Sequence, residues 1–326
     1  MIGKLAPFGL KHEISKRWTP WDWYKSLSIS KKITSDGADK VIFDLITLGK
    51  PALVGRLGGT EARFLGEYLK ITRHQKLSNI LFKLKPNWLK RATEINTNAG
   101  FYFHDIAQVS NFYKIYNDAL LNTDILGAWG TAFAWIESRY IKIIKTFIPV
   151  PMTAPWVDPY NSSTRDIPWS SALNGKKLLV ISPFTETIIK QHKIIDKVFP
   201  NNNYPKFSLV TIQAPQTIGV DSNLKPSWFA RLDEMKNLMS KYDFDVALIA
   251  AGAYSYPLAH HAKQMGRIGI HAGGGLQLFF GIIGKRWETK WGEGNYLEKY
   301  FNKYWTRPSL LETPPKAHEV ENGCYW

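Results

Sequence analysis

The stretch Asp245 to Trp287, DVALIAAGAYSYPLAHHAKQMGRIGIHAGGGLQLFFGIIGKRW, constrains this chain more than any other. Val246 to Ala250 is a short apolar run that ends at Gly252, the pattern of a buried parallel strand followed by a tight turn. A helix is expected next, with Ser255 near its cap, Pro257 in its first turn and Leu258, Ala262 and Met265 along one face. Gly266 stops that helix, and Arg267 to Ala272 start a second strand, completing a βαβ unit. The second strand runs through His271 into Gly273-Gly274-Gly275. Another helix is expected from there, with Leu276, Phe279, Phe280 and Ile283 on its inner side and Lys285-Arg286 at its end. Glycines at a helix start let a phosphate approach the backbone, or else only permit close helix–strand packing.

The same rhythm recurs on either side. A helix over Ala38–Leu48 leads to the strand Ala52–Arg56, and GRLGGTEARFLGEYL then reads as strand end, glycine turn and a helix from about Thr60. Trp88–Asn96, Ile106–Leu121 and Thr131–Phe147 have helical lengths, with a short strand at Ile125–Trp129. Pro149, Pro151, Pro155 and Pro159 break regular structure, so 149–175 is expected to be a long loop. Its Trp156, Asp158, Tyr160, Asn161 and Arg165 suit a sugar-contacting lid. Lys177–Ser182 is a strand, a helix capped near Thr185 carries Ile188, Ile195 and Phe199 inward, Phe207–Ile212 is a further strand, and Trp228, Leu232, Met235 and Met239 mark another helix. Strands alternating with helices of this length predict an α/β fold, Rossmann-like and doubly wound, with a mainly parallel sheet and helices on both faces.

The domain reading is an N-terminal extension over 1–35 and a single domain over 36–326 whose aromatic, Pro-rich tail from 291 wraps the surface. In the extension, Trp18, Trp21, Trp23 and Tyr24 lie among Lys16, Arg17 and Lys25, a cluster suited to a membrane interface or to packing across the domain.

A hydrophobic content of 44% supports a packed core, and the formal charge of +15 favours polyanionic partners: sugar nucleotides, an anionic membrane surface or nucleic acid. No nucleic-acid reading motif accompanies the charge, so nucleic acid is not the expected partner. The single cysteine, Cys324, excludes an internal disulfide framework and a Cys-rich metal site, and a reducing cytoplasm is the expected compartment. No signal peptide is visible at Met1 to Arg17, and no run reaches the roughly 18 apolar residues of a membrane span. GxxxxGK[ST], GxGxxG after the first strand, HExxH and GxSxG are all missing from the sequence.

Open parallel sheets bind ligands outside the carboxyl ends of their strands. That rule gathers three groups: Arg56 to Glu61, Ser182 to Thr187, and Gly252, Ala253 and Tyr254 with His271 to Gly275. Arg56 suits a phosphate or a structural carboxylate. Glu61 is a helix-dipole partner, a metal ligand or a general base. His271 is a better catalytic candidate than His260 or His261, and Lys285 with Arg286 suits a diphosphate or caps a helix C-terminus.

With GRLGGTE and the 252–287 block together, the chain resembles bacterial glycosyltransferases of the GT-D type. Their early strand ends in R-F-G-D-G-E, whose Asp and Glu form a DxE metal site. Here the stretch is Arg56-Leu57-Gly58-Gly59-Thr60-Glu61, in which Arg56, Gly58 and Glu61 match and Gly59 stands at the aspartate. The resemblance implies a Rossmann-like sheet and transfer of a sugar from a nucleotide-diphosphate donor, typically a UDP-sugar, to a glycan or lipid-linked acceptor in surface polysaccharide or glycoconjugate synthesis. With the strand-end rule, the expected donor contacts are Arg56, Gly58, Gly59, Ser182, Gly252, Ala253, Tyr254, Gly273, Gly274, Gly275, Lys285 and Arg286, with Glu61 and His271 catalytic. The resemblance also implies a metal, Mn²⁺ or Mg²⁺, held through Glu61 alone because Gly59 removes the partner carboxylate, unless Asp158 or Glu186 replaces it. A sugar-nucleotide-binding protein without turnover is the alternative on the same fold.

Overall fold

The computed structural model describes residues 35–72, 86–128, 144, 146–149, 168–200, 204–288, 301–320 and 323–326. The N-terminal extension to residue 34, most of the helix expected over 131–147 and the lid residues Trp156, Asp158, Tyr160, Asn161 and Arg165 lie outside them.

The chain order is α1 (Ser35–Leu48), β1 (Ala52–Arg56), α2 (Gly59–Thr72), α3 (Pro86–Ala99), α4 (Ile106–Leu121), β2 (Ile125–Ala128) and β3 (Thr146–Pro149). A 3₁₀ turn at Trp169–Leu173 leads to β4 (Lys177–Ser182), α5 (Thr185–Lys193), α6 (Ile195–Val198), β5 (Ser208–Gln213) and α7 (Trp228–Met239). Then come β6 (Val246–Ile249), α8 (Ser255–Gln264), β7 (Ile268–His271), α9 (Gly275–Phe279) and α10 (Lys285–Glu288). Side-chain caps mark two of the helix starts: Asp105 accepts from the Gln108 amide at 2.8 Å, and Ser227 from the Ala230 amide at 3.3 Å.

Among the described residues seven strands form one sheet in the order β3-β2-β1-β7-β6-β4-β5, and every pairing is parallel. Alternation within each strand feeds two cores. Leu53, Leu126, Leu179, Ile181, Ala247 and Ile249 join one, with Phe64, Phe112, Trp228 and Leu258 from the covering helices and Phe101 from the loop after α3. Val54, Ile125, Leu178, Val180, Val246, Leu248 and Ile270 join the other, with Ile42, Ile188, Phe279 and Trp305. Both faces being buried explains why these strands read as unbroken apolar runs. The chain is an α/β protein with the expected Rossmann-like, doubly wound sheet, and no helix among the described residues is long and apolar enough to cross a membrane.

The first core is densely aromatic. The Phe101 and Phe112 rings stack at 3.9 Å, and Trp228 meets both edge-on, at 5.2 and 5.3 Å. Truncating one such buried ring to alanine costs about 3–5 kcal/mol. This core ties α3, α4 and α7 to the sheet, so it fixes the loops at the strands' carboxyl ends.

Three expectations are corrected. Thr146 and Phe147, read as the end of a helix, open β3, and Pro149, read as a breaker, closes it. β3 is at the sheet's edge, where a proline leaves no ladder bond unmade on its open side. The helix after the triple glycine stops at Phe279, because Gly281 takes φ 66 and its backbone runs against Val198, where a β-carbon would sit 2.3 Å from Cγ1. Lys285 and Arg286 therefore begin a new turn and do not cap the end of that helix. The tail, finally, does more than wrap the surface: Trp305 and Val320 are buried, Ile282 bridges to Thr306, and the last residues enter a cleft.

Candidate functional site

The cleft, of about 410 Å³, opens at the carboxyl edge of the sheet. The chain leaves β4 toward β5 and leaves β6 toward β7, in opposite directions across the sheet, and this divergence parts the loops above it. Arg56 from β1, Ser182 from β4, Ala214 after β5, Ala250 to Gly252 after β6 and His271 from β7 all line it. Gly58 and Gly273, 215 positions apart in sequence, thus share one cavity.

Of the residues expected there, Arg56, Gly58, Gly59, Glu61, Ser182, Gly252, Tyr254, His271, Gly273, Gly274 and Arg286 line the cleft. Ala253, Gly275 and Lys285 do not. Ala253 is in the core, where its carbonyl accepts from the Tyr116 hydroxyl at 2.8 Å. Gly275 is buried at the start of α9, and the Lys285 side chain is exposed outside the cleft. His260 and His261 also stay on α8, away from the cleft lining.

The glycines have a concrete purpose here. A β-carbon at Gly273 would lie 2.6 Å from Arg56 Nη2, one at Gly274 3.0 Å from Arg286 Nη1, and one at Gly58 2.1 Å from Glu61 Oε2. Each missing side chain leaves space for a charged group. Gly273 also takes φ 58, which an L side chain adopts only under strain. The cavity is therefore shaped by two guanidinium groups and one carboxylate standing over bare backbone.

Burial lowers the pKa of Arg56 most, the nearby Arg286 charge lowers it further, and Tyr325 and Glu61 oppose the shift. A guanidinium stays charged even so. Two like charges that disfavour one another in a cleft of low dielectric attract an anion strongly. Arg286 stacks on the Tyr325 ring, 4.3 Å from its centroid, and Nη2 donates to Cys324 Sγ at 3.0 Å.

His271 has a different character from the one expected. Its Nδ1–H donates to the Arg56 carbonyl at 2.8 Å, and burial, followed by the Arg56 charge, pushes its pKa down to about 3. The imidazole is neutral at physiological pH, so it holds the end of β7 against the end of β1 and is poorly suited to take a proton. Glu61 is buried in the first turn of α2. Its charge reaches the Tyr116 hydroxyl, whose pKa is raised by burial and then by Glu61 and Tyr256.

Glu61 is the one carboxylate among the described residues that line the cleft. No group of three or more His, Cys, Asp or Glu side chains among the described residues is arranged to hold a metal ion. Glu186 points elsewhere, pairing with Lys190 at 2.6 Å on the exposed side of α5. The described residues lining the cleft supply a single side-chain carboxylate, Glu61, where a divalent cation takes several oxygen ligands; the other candidate, Asp158, lies outside the described residues.

The start of the helix after β4 is occupied by a carboxylate of the protein itself. The Glu186 and Thr187 amides of α5 donate to the Glu312 carboxylate at 2.7 and 3.3 Å. Sequence reading missed Glu312 and also missed Tyr325, Trp326, Gln277, Asn98, Gln216 and Thr217, which line the cleft. The dense aromatic ending was the available signal for Tyr325 and Trp326.

No protein-family model matches the chain, nor does any curated protein or solved structure.

Proposed function

We propose that this protein is a glycosyltransferase that binds a nucleotide-diphosphate sugar in the cleft at the carboxyl edge of the sheet and transfers the sugar to a glycan or lipid-linked acceptor. The observation that carries the reading is the convergence of Arg56 and Arg286 over Gly273 and Gly274, in a cleft already containing a carboxylate. In the reaction the bond from the sugar's anomeric carbon to the diphosphate oxygen breaks, and its electron pair leaves with the diphosphate. Arg56 and Arg286 stabilise that growing negative charge. The acceptor hydroxyl oxygen forms the new bond to the anomeric carbon, and Glu61 takes its proton. A divalent cation, if the donor brings one, would share Glu61 with the donor's own phosphates and water.

The same geometry without turnover is the second reading, favoured by Gly59 at the DxE aspartate position and by the depressed basicity of His271. One experiment separates them. The full chain is titrated calorimetrically with UDP, GDP and ADP, and the matching sugar nucleotides are then followed for release of nucleoside diphosphate. Binding with release supports transfer, and binding without release supports the second reading. No binding of any nucleoside diphosphate, together with salt-sensitive oligonucleotide binding, overturns both.

A further inference from the structure

Glu312 is 2% exposed, yet it comes from a tail that the sequence marks as a surface wrap. Its carboxylate is filled with donors: the Glu186 amide at 2.7 Å, the Thr187 amide and the Ser309 amide each at 3.3 Å, and the Thr187 hydroxyl. Ser309 and Glu312 also form a capping box on the 3₁₀ turn Leu310–Glu312. The Glu312 main-chain carbonyl accepts twice more, from Gln216 Nε2 at 2.6 Å and from Trp326 Nε1 at 3.1 Å. One residue therefore ties together the turn after β4, the loop after β5 and the end of the tail.

All three of those segments line the cleft. Phe184, just before α5, meets the Trp326 ring edge-on at 6.1 Å. Beyond Trp326 the chain of contacts continues to the cations: the Tyr325 carbonyl accepts from Gln277 Nε2 at 2.7 Å, and the Tyr325 ring carries Arg286. The Arg286 and Lys285 amides donate to the Cys324 and Trp326 carbonyls at 3.0 and 3.2 Å. Nothing else in the tail turn is buried so deeply, since Leu310 and Leu311 are 90% and 89% exposed. The turn's burial is concentrated in the Glu312 side chain.

We propose that Glu312 is a positioning residue of the cleft: its carboxylate fastens the C-terminal segment to the start of α5, and so sets Tyr325, Trp326 and the stacked Arg286 as the wall against which an anionic nucleotide binds. This rests on the reading of the cleft as a nucleotide site. Glu312 touches no ligand itself. A glutamine there keeps one acceptor oxygen but turns an N–H₂ group toward donors, breaking part of the fastening.

The test uses the full chain with UDP as probe, in Glu312→Gln, Thr187→Val and Thr187→Ser. Hydrogen exchange of the 323–326 amides and UDP affinity are measured together. Glu312→Gln and Thr187→Val should speed exchange at 323–326 and weaken UDP by about tenfold, the scale of one lost charge-assisted hydrogen bond. Thr187→Ser keeps the hydroxyl and should bind like wild type. Met239→Ala, a core truncation on α7 remote from the tail, should lower the Tm and leave UDP affinity unchanged; a merely structural role for Glu312 would give that same pattern in Glu312→Gln, whereas a positioning role weakens UDP as well. Should Glu312→Gln fail to fold, the Thr187 pair decides. Wild-type affinity in both Glu312→Gln and Thr187→Val overturns the proposal. If wild type binds none of UDP, GDP and ADP, the function proposed above fails, and the exchange data still judge the fastening: unchanged exchange at 323–326 in both variants overturns it.

Discussion

Two helices begin at the same edge of the sheet and are equipped in opposite ways. α5, after β4, is nine residues long and has its first amides satisfied by a carboxylate of the protein's own tail. α9, after β7, is five residues long, little more than one turn, and follows a glycine turn walled by Arg56 and Arg286. The longer helix carries the fuller dipole, and it is the one that has been neutralised. Positive potential at this edge therefore gathers on the β1–β7 side, and it comes from guanidinium groups and not from a helix end. Helix dipoles alone would have placed an anion on the wrong side of the cleft.

Breaking the cationic side should produce the largest effect. Arg286→Ala and Arg56→Ala are each expected to weaken UDP binding by about 10²-fold, the usual cost of removing one buried charged partner. Calorimetric titration checks this, and a loss under threefold in both would place the anion elsewhere.

Acid should loosen the same side. The His271 pKa is held at about 3 in the folded protein, and the unfolded chain binds that proton below roughly pH 6.5. The contribution is therefore intact above pH 6.5 and is lost as the pH falls toward 3, at up to about 1.4 kcal/mol per pH unit. His192, His260 and His261, also lowered chiefly by burial, act with the same sign, so the diagnostic is a difference. Urea midpoints of His271→Gln should fall less between pH 7 and pH 5 than those of wild type. Equal falls would contradict the buried neutral imidazole.

Gly273→Ala combines a positive φ with a β-carbon 2.6 Å from Arg56 Nη2. Arg56 can move aside, so the expected result is a Tm lower by a few degrees and about tenfold weaker UDP binding, from roughly 1 kcal/mol of backbone strain and a displaced guanidinium. Unchanged affinity would show that Arg56 need not stand over the glycine turn.

Glu61→Gln should sharpen the contrast in the other direction. Removing a negative charge beside Arg56 should tighten UDP about threefold in the presence of EDTA, as relief of a like-charge contact does. If Glu61 instead holds a cation with the donor, the same variant should bind UDP worse when Mn²⁺ is added. Least affected of all should be Glu186→Gln. Its exposed pair with Lys190 is screened by solvent and contributes little, and metal-supported binding should not change.

Much of the scaffold was legible because the strands are buried on both faces and the glycines and caps punctuate them. Ala52–Arg56, Ile106–Leu121 and Lys177–Ser182 carry in sequence the bounds the structure shows, and Trp228, Leu232, Met235 and Met239 mark the helix found at Trp228–Met239. The meeting of Arg56, Glu61, His271 and Gly273 also followed, since parallel topology sends every strand end to one edge. What failed depended on distant contacts. The end of α9 is set by Gly281 against Val198, and a helical period in Leu276, Phe279, Phe280 and Ile283 cannot register that collision. Glu312 looks like any tail carboxylate until α5 closes over it. His271 looked basic because a sequence gives its residue type and not its burial.

The chain's one cysteine has a practical meaning in this light. Cys324 is 6% exposed and lies under Arg286, one residue before the Tyr325 ring. A disulfide reagent can reach it only when the end of the tail lifts. Its labelling rate, measured against the rate for the same thiol in unfolded protein, is therefore a clock for that opening, and it needs no engineered probe. A ligand seated against Tyr325 should slow the clock in proportion to its occupancy, turning a single sulfur atom into a gauge of how firmly the cleft is closed.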